Sequence, residues 1–431
     1  MNDLGKNQSD VSGQARERPR SPRYRWYIFA VCAGMYVLSH FWRVSNAVIA
    51  GDLSRDLGLS TEMLGLVGGA FFYSFGFLQL PMGPLLDRFG PRVVISLLGA
   101  VGAASALIFS LSESGVVTVL ARAGIGIGMA AALMGSYKIF TTWFSPREFA
   151  TLSGIMLAIG NTGAVAATTP LAWLSELVGW RRACGGMALV TLLTACAVYL
   201  IARDRPPRDS GVPPHTAPTL AAVWQGMKTV FSTGSFWKLV PLGFATNGAL
   251  MTAQGLWGGP YLVHCYGMSK AAAGGVLLAI PVGLVCGAPL WGRVSDALMR
   301  RKPIILAGQI IMLLASASLA LHLPLPRWGL LLQFWLIGFT ASSAYVLYAQ
   351  VKETFPLAIA ATALTSLNFF NILGSAMFQQ ITGIIMGQWQ RTVDGALPVA
   401  AYQCGFGVSA ALLLLSLVVY IASADSKPSI H

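Results

Sequence analysis

Three polar side chains stand on one face of the first long apolar run of this sequence. His40, Arg43 and Asn46 are spaced three residues apart, so in a helix they point in one direction. A charged side chain inside a membrane costs about 2.5–3.5 kcal/mol on insertion scales, and such a residue is a functional hypothesis by default. A guanidinium presents a planar fork that fits a carboxylate or a phosphate. We predict that this face binds an anion, unless Arg43 extends its charged end to the membrane surface.

Two more cationic residues, Arg122 and Lys138, lie in the fourth apolar run. In one continuous helix they are about 24 Å apart, which is too far for one small ligand to touch both. Lys138 lies near one end of the run, where it either binds the substrate or reaches the surface. Arg122 lies near the other end, and we predict a role in coupling or packing for it.

Neutral polar residues add hydrogen-bonding groups in the seventh and eleventh runs. They are Asn247, Gln254, Asn368, Asn371, Gln379 and Gln380. Asn368 and Asn371 are about one helical turn apart and share a face. Each of these residues either contacts a ligand or joins neighbouring helices.

Acidic residues are missing from the middle of every apolar run. Glu62, Glu113 and Glu176 lie near the outer ends of runs, and Glu353 lies near an inner end. A carboxylate that carries a proton through the core is therefore not predicted. The remaining proton carriers are His40, a residue type that titrates near neutral pH, and the substrate itself.

The elements that position these residues must be membrane-spanning helices. Of the 431 residues, 55% are hydrophobic and 10% are charged, whereas soluble chains carry about 25% charged residues. The net charge of +13 resides in short clusters between apolar runs, which argues against a nucleic-acid partner. Runs of about 20 apolar residues, enough to cross a bilayer, lie at 24–50, 61–85, 92–111, 116–142, 149–175, 181–202, 236–262, 270–291, 303–322, 328–351, 358–386 and 399–423.

Basic residues predict the orientation of these runs. An even number of runs places both termini on one side of the membrane, and most Lys and Arg residues lie on that side. The outer segments hold only Arg55, Arg181, Arg182, Lys270, Arg327 and Arg391. We therefore expect a multi-pass protein of the cell inner membrane with both termini in the cytoplasm. Residues 1–23 and 424–431 are predicted as cytoplasmic tails, the first of them disordered.

The chain is organised as two halves. Residues 24–203 and 236–423 each hold six apolar runs, and the polar, Pro-rich segment 204–235 is predicted as a cytoplasmic linker. A loop in each half follows one pattern: GPLLDRFGPR begins at Gly83 and GRVSDALMRR begins at Gly292. Their aspartates, Asp87 and Asp296, lie about 210 residues apart, as in an internal duplication.

The first of these loops resembles the G-x-L-x-D-R-x-G-R-R loop of the major facilitator superfamily. The second copy is degenerate, with Met299 in the place of its later glycine. The segment RAGIGIGMAA from Arg122 is similar to the family pattern R-x-x-Q-G-x-G-A-A, with Ile125 in place of Gln. The resemblance covers residues 24–423. It implies an all-α fold of about twelve transmembrane helices, in which two six-helix bundles surround a central cavity and work by alternating access.

The resemblance also implies which residues form the gates and the cavity. The predicted gating and coupling residues are Gly83, Asp87, Arg88, Gly90, Arg92, Arg122, Asp296 and Arg300. In this family the first, fourth, seventh and tenth helices line the cavity, which adds Tyr345, Tyr348 and Gln350 of the tenth. The predicted substrate-binding residues are His40, Arg43, Asn46, Lys138, Asn247, Gln254, Tyr345, Asn368 and Asn371.

The first helix resembles the arginine-containing first helix of facilitators for organic anions, including the anion:cation symporters. The segment WFSPRE also resembles the W-F-P-x-x-E-R segment of that group, with Arg147 and Glu148 in swapped order. We predict a secondary active transporter of a small organic anion. The alternative is a transporter of neutral or zwitterionic solutes, such as a sugar or a peptide, or a drug exporter, in which Arg43 is structural.

Other classes of function are not favoured. No nucleophile–base pair and no metal-ligand spacing occurs in the sequence, so we expect neither an enzyme nor a metal or other cofactor. The fifth helix lacks the G-P-x-x-G-G element of drug/proton antiporters. The expected partners are a small-molecule substrate and the lipid bilayer, with H⁺ or a counter-substrate left open, and the protein is expected to be a monomer.

Overall fold

A computed structural model describes residues 23–204, 220–392 and 395–425 of the chain. The predicted tails lie almost wholly outside the described residues, as does much of the predicted linker. Within 23–204 the helices are α1 (Tyr24–Val44), α2 (Asn46–Asp56), α3 (Thr61–Phe89), α4 (Pro91–Leu111), α5 (Gly115–Met129), α6 (Ala132–Trp143), α7 (Pro146–Ala166), α8 (Thr169–Val178) and α9 (Trp180–Ile201). Breaks between α1 and α2, α5 and α6, and α7 and α8 fall inside membrane segments, so these helices form six segments.

The second bundle repeats this plan. It is preceded by α10 (Leu220–Phe231), a helix inside the predicted linker that packs against the second bundle. Its membrane helices are α11 (Gly234–Met251), a π-helix (Thr252–Trp257), α12 (Gly258–Tyr266), α13 (Lys270–Leu277), α14 (Ala279–Ala297), α15 (Lys302–Ala320), α16 (Arg327–Ala341), a 3₁₀ turn (Ser342–Tyr345), α17 (Val346–Thr354), α18 (Leu357–Gly387) and α19 (Val399–Ile421).

The number of membrane segments agrees with the sequence prediction of about twelve. Eleven helices in the described residues are long and apolar enough to cross a bilayer. The remaining segment consists of α11 and α12, which the π-helix separates. The fold is helical throughout the described residues, which confirms the predicted fold class.

Two faces of the molecule can be distinguished. The face that carries Tyr24 and Asp425 is here called the terminal face, and the face that carries Asp52 and Lys270 is called the distal face. At the distal face α2 packs against the π-helix and α12. A Cβ atom on Gly259 would lie 1.8 Å from the Ala47 carbonyl oxygen, so only glycine permits this approach of the two bundles.

Polar contacts also close the distal face. Asp52 of the first bundle forms an ion pair with Lys270 of the second, and the Arg391 guanidinium donates to the Leu59 carbonyl at 3.1 Å. At the terminal face the described ion pairs each lie within one bundle. The structure therefore has a closed distal face.

Candidate substrate site and gating contacts

Arg43 lies in the last turn of α1, just before the break that separates α1 from α2. Its guanidinium stands over the Phe75 ring, 5.0 Å from the centroid. None of the ion pairs between described residues includes Arg43, and its buried Nε has no hydrogen-bond partner there. A cation–π contact contributes about 0.5–2 kcal/mol, whereas a buried charge without a counter-ion costs several kcal/mol. The phenyl ring alone does not satisfy this guanidinium.

Tyrosines from both bundles surround Arg43. Tyr36 of α1, Tyr345 of the 3₁₀ turn and Tyr348 of α17 all lie close enough to interact electrostatically with the guanidinium. Tyr345 is 53% exposed although it faces the opposite bundle. Because Tyr345 neighbours Arg43, this exposed surface leaves room for water or a ligand beside the guanidinium. Arg43 and Tyr345, two predicted site residues, thus line one space between the bundles.

His40 lies one turn before Arg43 on the same helix. Its ring packs edge-on against Tyr36, with centroids 4.7 Å apart, and its buried Nε2 has no hydrogen-bond partner among the described residues. The predicted common face of His40 and Arg43 is therefore present in the structure.

The two predicted asparagines of α18 hold Tyr348 in place. The Tyr348 hydroxyl lies 3.0 Å from Asn368 Oδ1 and 2.9 Å from the Asn371 side-chain amide. With the oxygen and nitrogen positions of the Asn371 amide exchanged, its nitrogen donates to the Leu367 and Gly243 carbonyls at 3.2 and 3.3 Å. Its oxygen then accepts from the Tyr348 hydroxyl. Asn368 and Asn371 thus position a tyrosine that neighbours Arg43.

Three buried amides have atoms without a hydrogen-bond partner in the described residues. Asn46 is fully buried and neither amide atom has a partner in the described residues, while Gln254 and Gln379 each leave the side-chain oxygen unpartnered. Gln254 belongs to the π-helix, an element that often marks functional sites. Buried polar groups are normally satisfied by protein, water or ligand. The unpartnered atoms of these amides can therefore hydrogen-bond to water or to a ligand only where one reaches them. Gln379 was outside the predicted site.

Asn247 and Lys138 are occupied by other contacts. The Asn247 amide nitrogen donates to the Asn371 carbonyl and to Ser375 Oγ, both at 2.8 Å, and so joins α11 to α18. Lys138 forms an ion pair with Asp87 at the terminal face. The structure thus places Lys138 beside Asp87 at the terminal face rather than beside Arg43.

Arg122 is fully buried inside the first bundle. Its Nη1 donates to the Trp42 carbonyl at 2.9 Å, and its guanidinium lies between Phe71 and Phe109, 5.2 and 5.9 Å from the ring centroids. The side chain therefore ties α5 to the end of α1, one residue before Arg43. A packing role at the base of the site is consistent with this position.

The loop between α3 and α4 is built around Gly90 and Asp204. Gly90 has φ +79°, and a Cβ atom there would lie 2.2 Å from an Asp204 carboxylate oxygen. That carboxylate accepts from the Arg92 backbone N–H at 2.7 Å, as expected for an anion at a helix N-terminus. The Arg92 Nε donates to the Tyr199 carbonyl at 2.7 Å. This contact fixes α4 to the end of α9.

Two other residues of the predicted motif, Gly83 and Arg88, lie in the C-terminal part of α3. The Arg88 guanidinium lies 5.4 Å from the Phe89 ring centroid. A Cβ atom on Gly83 would meet nothing within 4 Å, so close packing does not explain this glycine.

The equivalent loop of the second bundle is organised by Arg301, which sequence analysis did not select. Its guanidinium pairs with Asp296 at 2.5 Å and with Glu353 at 2.9 Å. Arg300, the predicted member, pairs instead with Asp425 at 3.0 Å. Met299 adopts a positive φ of 52° in the position that glycine holds in the first loop. This turn brings Arg301 rather than Arg300 back toward Asp296.

Glu148 of the WFSPRE segment takes part in capping the N-terminus of α7. Its carboxylate accepts from the Ser145 backbone and hydroxyl groups while the Glu148 N–H donates to the Ser145 hydroxyl, so the two residues form a capping box. The hydrogen bonds from Ser145, together with Arg25 at 3.0 Å, lower the pKa of the Glu148 carboxyl. This carboxylate anchors α7 to α1.

Comparison with known proteins decides the family. The profile of the Major Facilitator Superfamily matches residues 28–286, more than half of the chain. The chain belongs to the Major Facilitator Superfamily. This membership confirms the resemblance seen in the sequence and confirms that the protein is a multi-pass membrane transporter of a small molecule rather than an enzyme.

Two relatives match this major facilitator protein over nearly the full length. It is 23% identical to the Uncharacterized transporter YybO of Bacillus subtilis, covering 96% of this chain and 97% of the relative. It is 25% identical to the Probable galactarate/D-glucarate transporter GudP of the same organism, covering 92% of each. An organic-anion type of transporter fits the second of these names.

A solved structure shares the fold. A bacterial homolog of the human lysosomal transporter Spinster, in an inward-facing and unoccupied conformation, superposes with a TM-score of 0.76 at 20% identity, covering 93% of this chain and 97% of the other.

Proposed function

We propose that this protein is a secondary active carrier of a small organic anion, with Arg43 as the group that binds the anionic end. The observation that carries the proposal is an unpaired guanidinium in a space between the two bundles, with no carboxylate partner among the described residues. A bound carboxylate would supply both the missing charge and hydrogen-bond acceptors matched to the guanidinium fork.

The rest of the site suits a ligand with hydroxyl groups. Tyr36 and Tyr345 offer phenol hydroxyls beside Arg43, and Asn46, Gln254 and Gln379 carry unpartnered amide atoms. Such groups donate and accept hydrogen bonds but carry no charge. A sugar acid, with a carboxylate at one end and hydroxyls along its chain, fits this division. The relative named as a galactarate/D-glucarate transporter supports the same class.

The proposal includes a conformational assignment. With the terminal face assigned to the cytoplasm of an inner-membrane protein by its basic residues, the closed distal face corresponds to an inward-open state. The ion pair between Asp52 and Lys270 and the contact of Gly259 with Ala47 then form the outer gate. Alternating access requires these contacts to separate while the bundles close at the terminal face.

The alternative of a neutral solute has a direct test. Galactarate, galactonate and galactitol have the same six-carbon hydroxylated chain and carry two, one and no carboxylates. Binding of each to the purified protein is measured by isothermal titration calorimetry at one pH and ionic strength. The two acids are expected to bind, and galactitol is expected to bind at least about tenfold more weakly, as for loss of one charge-assisted pair.

Other outcomes count against the proposal. Galactitol bound as tightly as the acids would establish a carrier of neutral polyols, in which Arg43 is structural. Absence of binding by all three compounds would show that the sugar-acid class is wrong.

A further inference from the structure

The charge balance of the site determines how the carrier can return to its starting conformation after it has released its ligand. Among the described residues, every Asp and Glu lies in a loop or within two turns of a helix end. The acids outside these residues, at positions 3, 10, 17, 209 and 394, fall outside all twelve apolar runs of the sequence. The chain therefore supplies no carboxylate at the depth of Arg43.

The groups that do face Arg43 cannot replace a carboxylate. In the described part of the chain they are His40 on the same helix, Phe75 of α3 and the phenols Tyr36, Tyr345 and Tyr348. Neutral or protonated imidazole carries no negative charge, and tyrosine hydroxyls remain protonated near neutral pH. The guanidinium is therefore compensated only by water, by the phenyl ring or by a bound anion.

Transport requires the space around Arg43 to close from both sides. In the inward-open state water reaches this space, as the exposure of Tyr345 indicates. When the space closes around a bound carboxylate, the cation and the anion enter the interior together. When it closes empty, the guanidinium loses water and gains no counter-ion, which is strongly unfavourable. The loaded carrier therefore crosses the closed state much faster than the empty carrier.

We propose that this protein works as an anion exchanger, in which an anion bound on one side is traded for an anion on the other. The inference rests on the proposed function, because it takes Arg43 as the anion-binding group. It adds a mode of transport: the counter-substrate is a second small organic anion, and a proton carried by a protein carboxylate takes no part.

The experiment measures efflux of labelled galactonate from proteoliposomes that contain the full-length protein. Efflux is recorded into buffer alone and into buffer with unlabelled galactonate, with equal pH on both sides. Potassium and valinomycin on both sides prevent a membrane potential from limiting net movement. The rate of exchange is expected to exceed the rate of net efflux by at least about tenfold. That ratio corresponds to a difference of about 1.4 kcal/mol between the two activation barriers. A pH gradient should not raise net efflux to the exchange rate.

Two results would overturn the proposal. One is net efflux as fast as exchange, and the other is net efflux that a pH gradient accelerates to that rate. Either leaves the proposed function intact, because galactonate is still carried. Failure of galactonate to bind or move would instead count against the proposed function.

A gain-of-function variant tests the cause of the exchange. His40→Glu places a carboxylate one turn from Arg43, where it can act as an internal counter-ion in the empty carrier. The ratio of exchange to net efflux is expected to fall toward one in this variant, whereas His40→Gln should keep a high ratio. An unchanged ratio in a His40→Glu protein that still binds galactonate would contradict the counter-ion explanation.

Discussion

Asp52 at the end of the first membrane segment forms an ion pair with Lys270 at the start of the eighth, across the boundary between the two bundles. The Asp52 side chain is 9% exposed, so the pair lies at the edge of the packed distal face. Arg55 holds the same carboxylate oxygen at 2.6 Å. The contact joins residues of opposite bundles and helps to hold the distal face closed.

Breaking this pair should open the distal face more often. We expect Asp52→Asn and Lys270→Gln each to shift the equilibrium toward the distal-open state by about fivefold, the effect of roughly 1 kcal/mol for a partly exposed pair. The measurement is labelling of an Ala47→Cys variant by an impermeant maleimide, made in a background without the native cysteines. Arg182→Gln removes an exposed cation from the same face and serves as the control. Equal labelling in all variants would mean that the pair does not hold the gate.

A second prediction concerns the glycine contact at the same gate. Gly259→Ala should disfavour the closed distal face, because its Cβ atom would overlap the Ala47 carbonyl oxygen. Gly51→Ala is the matched control, since a Cβ atom there meets nothing within 4 Å. Labelling at Ala47→Cys should rise in the first variant and stay unchanged in the second. The same labelling in both would show that the bundles do not approach here as described.

A third prediction concerns the ion pair between Asp87 and Lys138 at the terminal face. Asp87→Asn and Lys138→Gln should each slow galactonate exchange with little change in galactonate affinity, because the pair joins α3 to α6 at the terminal face, away from Arg43. The double variant should be no slower than the slower single variant, as expected when two residues act as one unit. Strictly additive effects would indicate that the two side chains act separately. A large loss of affinity in Lys138→Gln would return Lys138 to the binding site.

A fourth prediction follows from the lowered pKa of Glu148. A carboxyl with a lowered pKa in the folded state stabilises the fold above its unfolded pKa, and this contribution disappears as the pH falls through the folded pKa. Glu148→Gln should therefore lower the melting temperature at pH 7, and the difference from the parent should shrink below about pH 4. Glu113→Gln, which removes an exposed loop carboxylate, is the control. A difference that does not depend on pH would show that the capping carboxylate is not the cause.

Local sequence patterns predicted part of this site. The common face of His40 and Arg43 follows from helical spacing within one segment, and so does the pairing of Asn368 and Asn371 on one side of α18. Their depth in apolar runs was sufficient to identify them, because charge and amide groups are rare there.

Contacts between distant segments were not predictable in this way. The bond of Asn247 to α18, the unpartnered oxygen of Gln379 and the pair of Asp52 with Lys270 depend on how helices far apart in sequence pack together. The pairing of Asp296 with Arg301, rather than with the predicted Arg300, depends on the backbone turn at Met299. No periodicity within one segment contains that information.

Binding of the anionic end of the substrate by Arg43 is tested by the affinity of Arg43 variants for galactonate. Arg43→Gln is expected to weaken binding by about 10- to 150-fold, as for loss of a charge-assisted bond of about 1.5–3 kcal/mol. Arg43→Lys should bind with intermediate affinity, because it keeps the charge and loses the planar fork. Arg182→Gln should bind like the parent, and melting temperatures confirm that each variant is folded. A folded Arg43→Gln protein that binds galactonate as tightly as the parent would contradict the account.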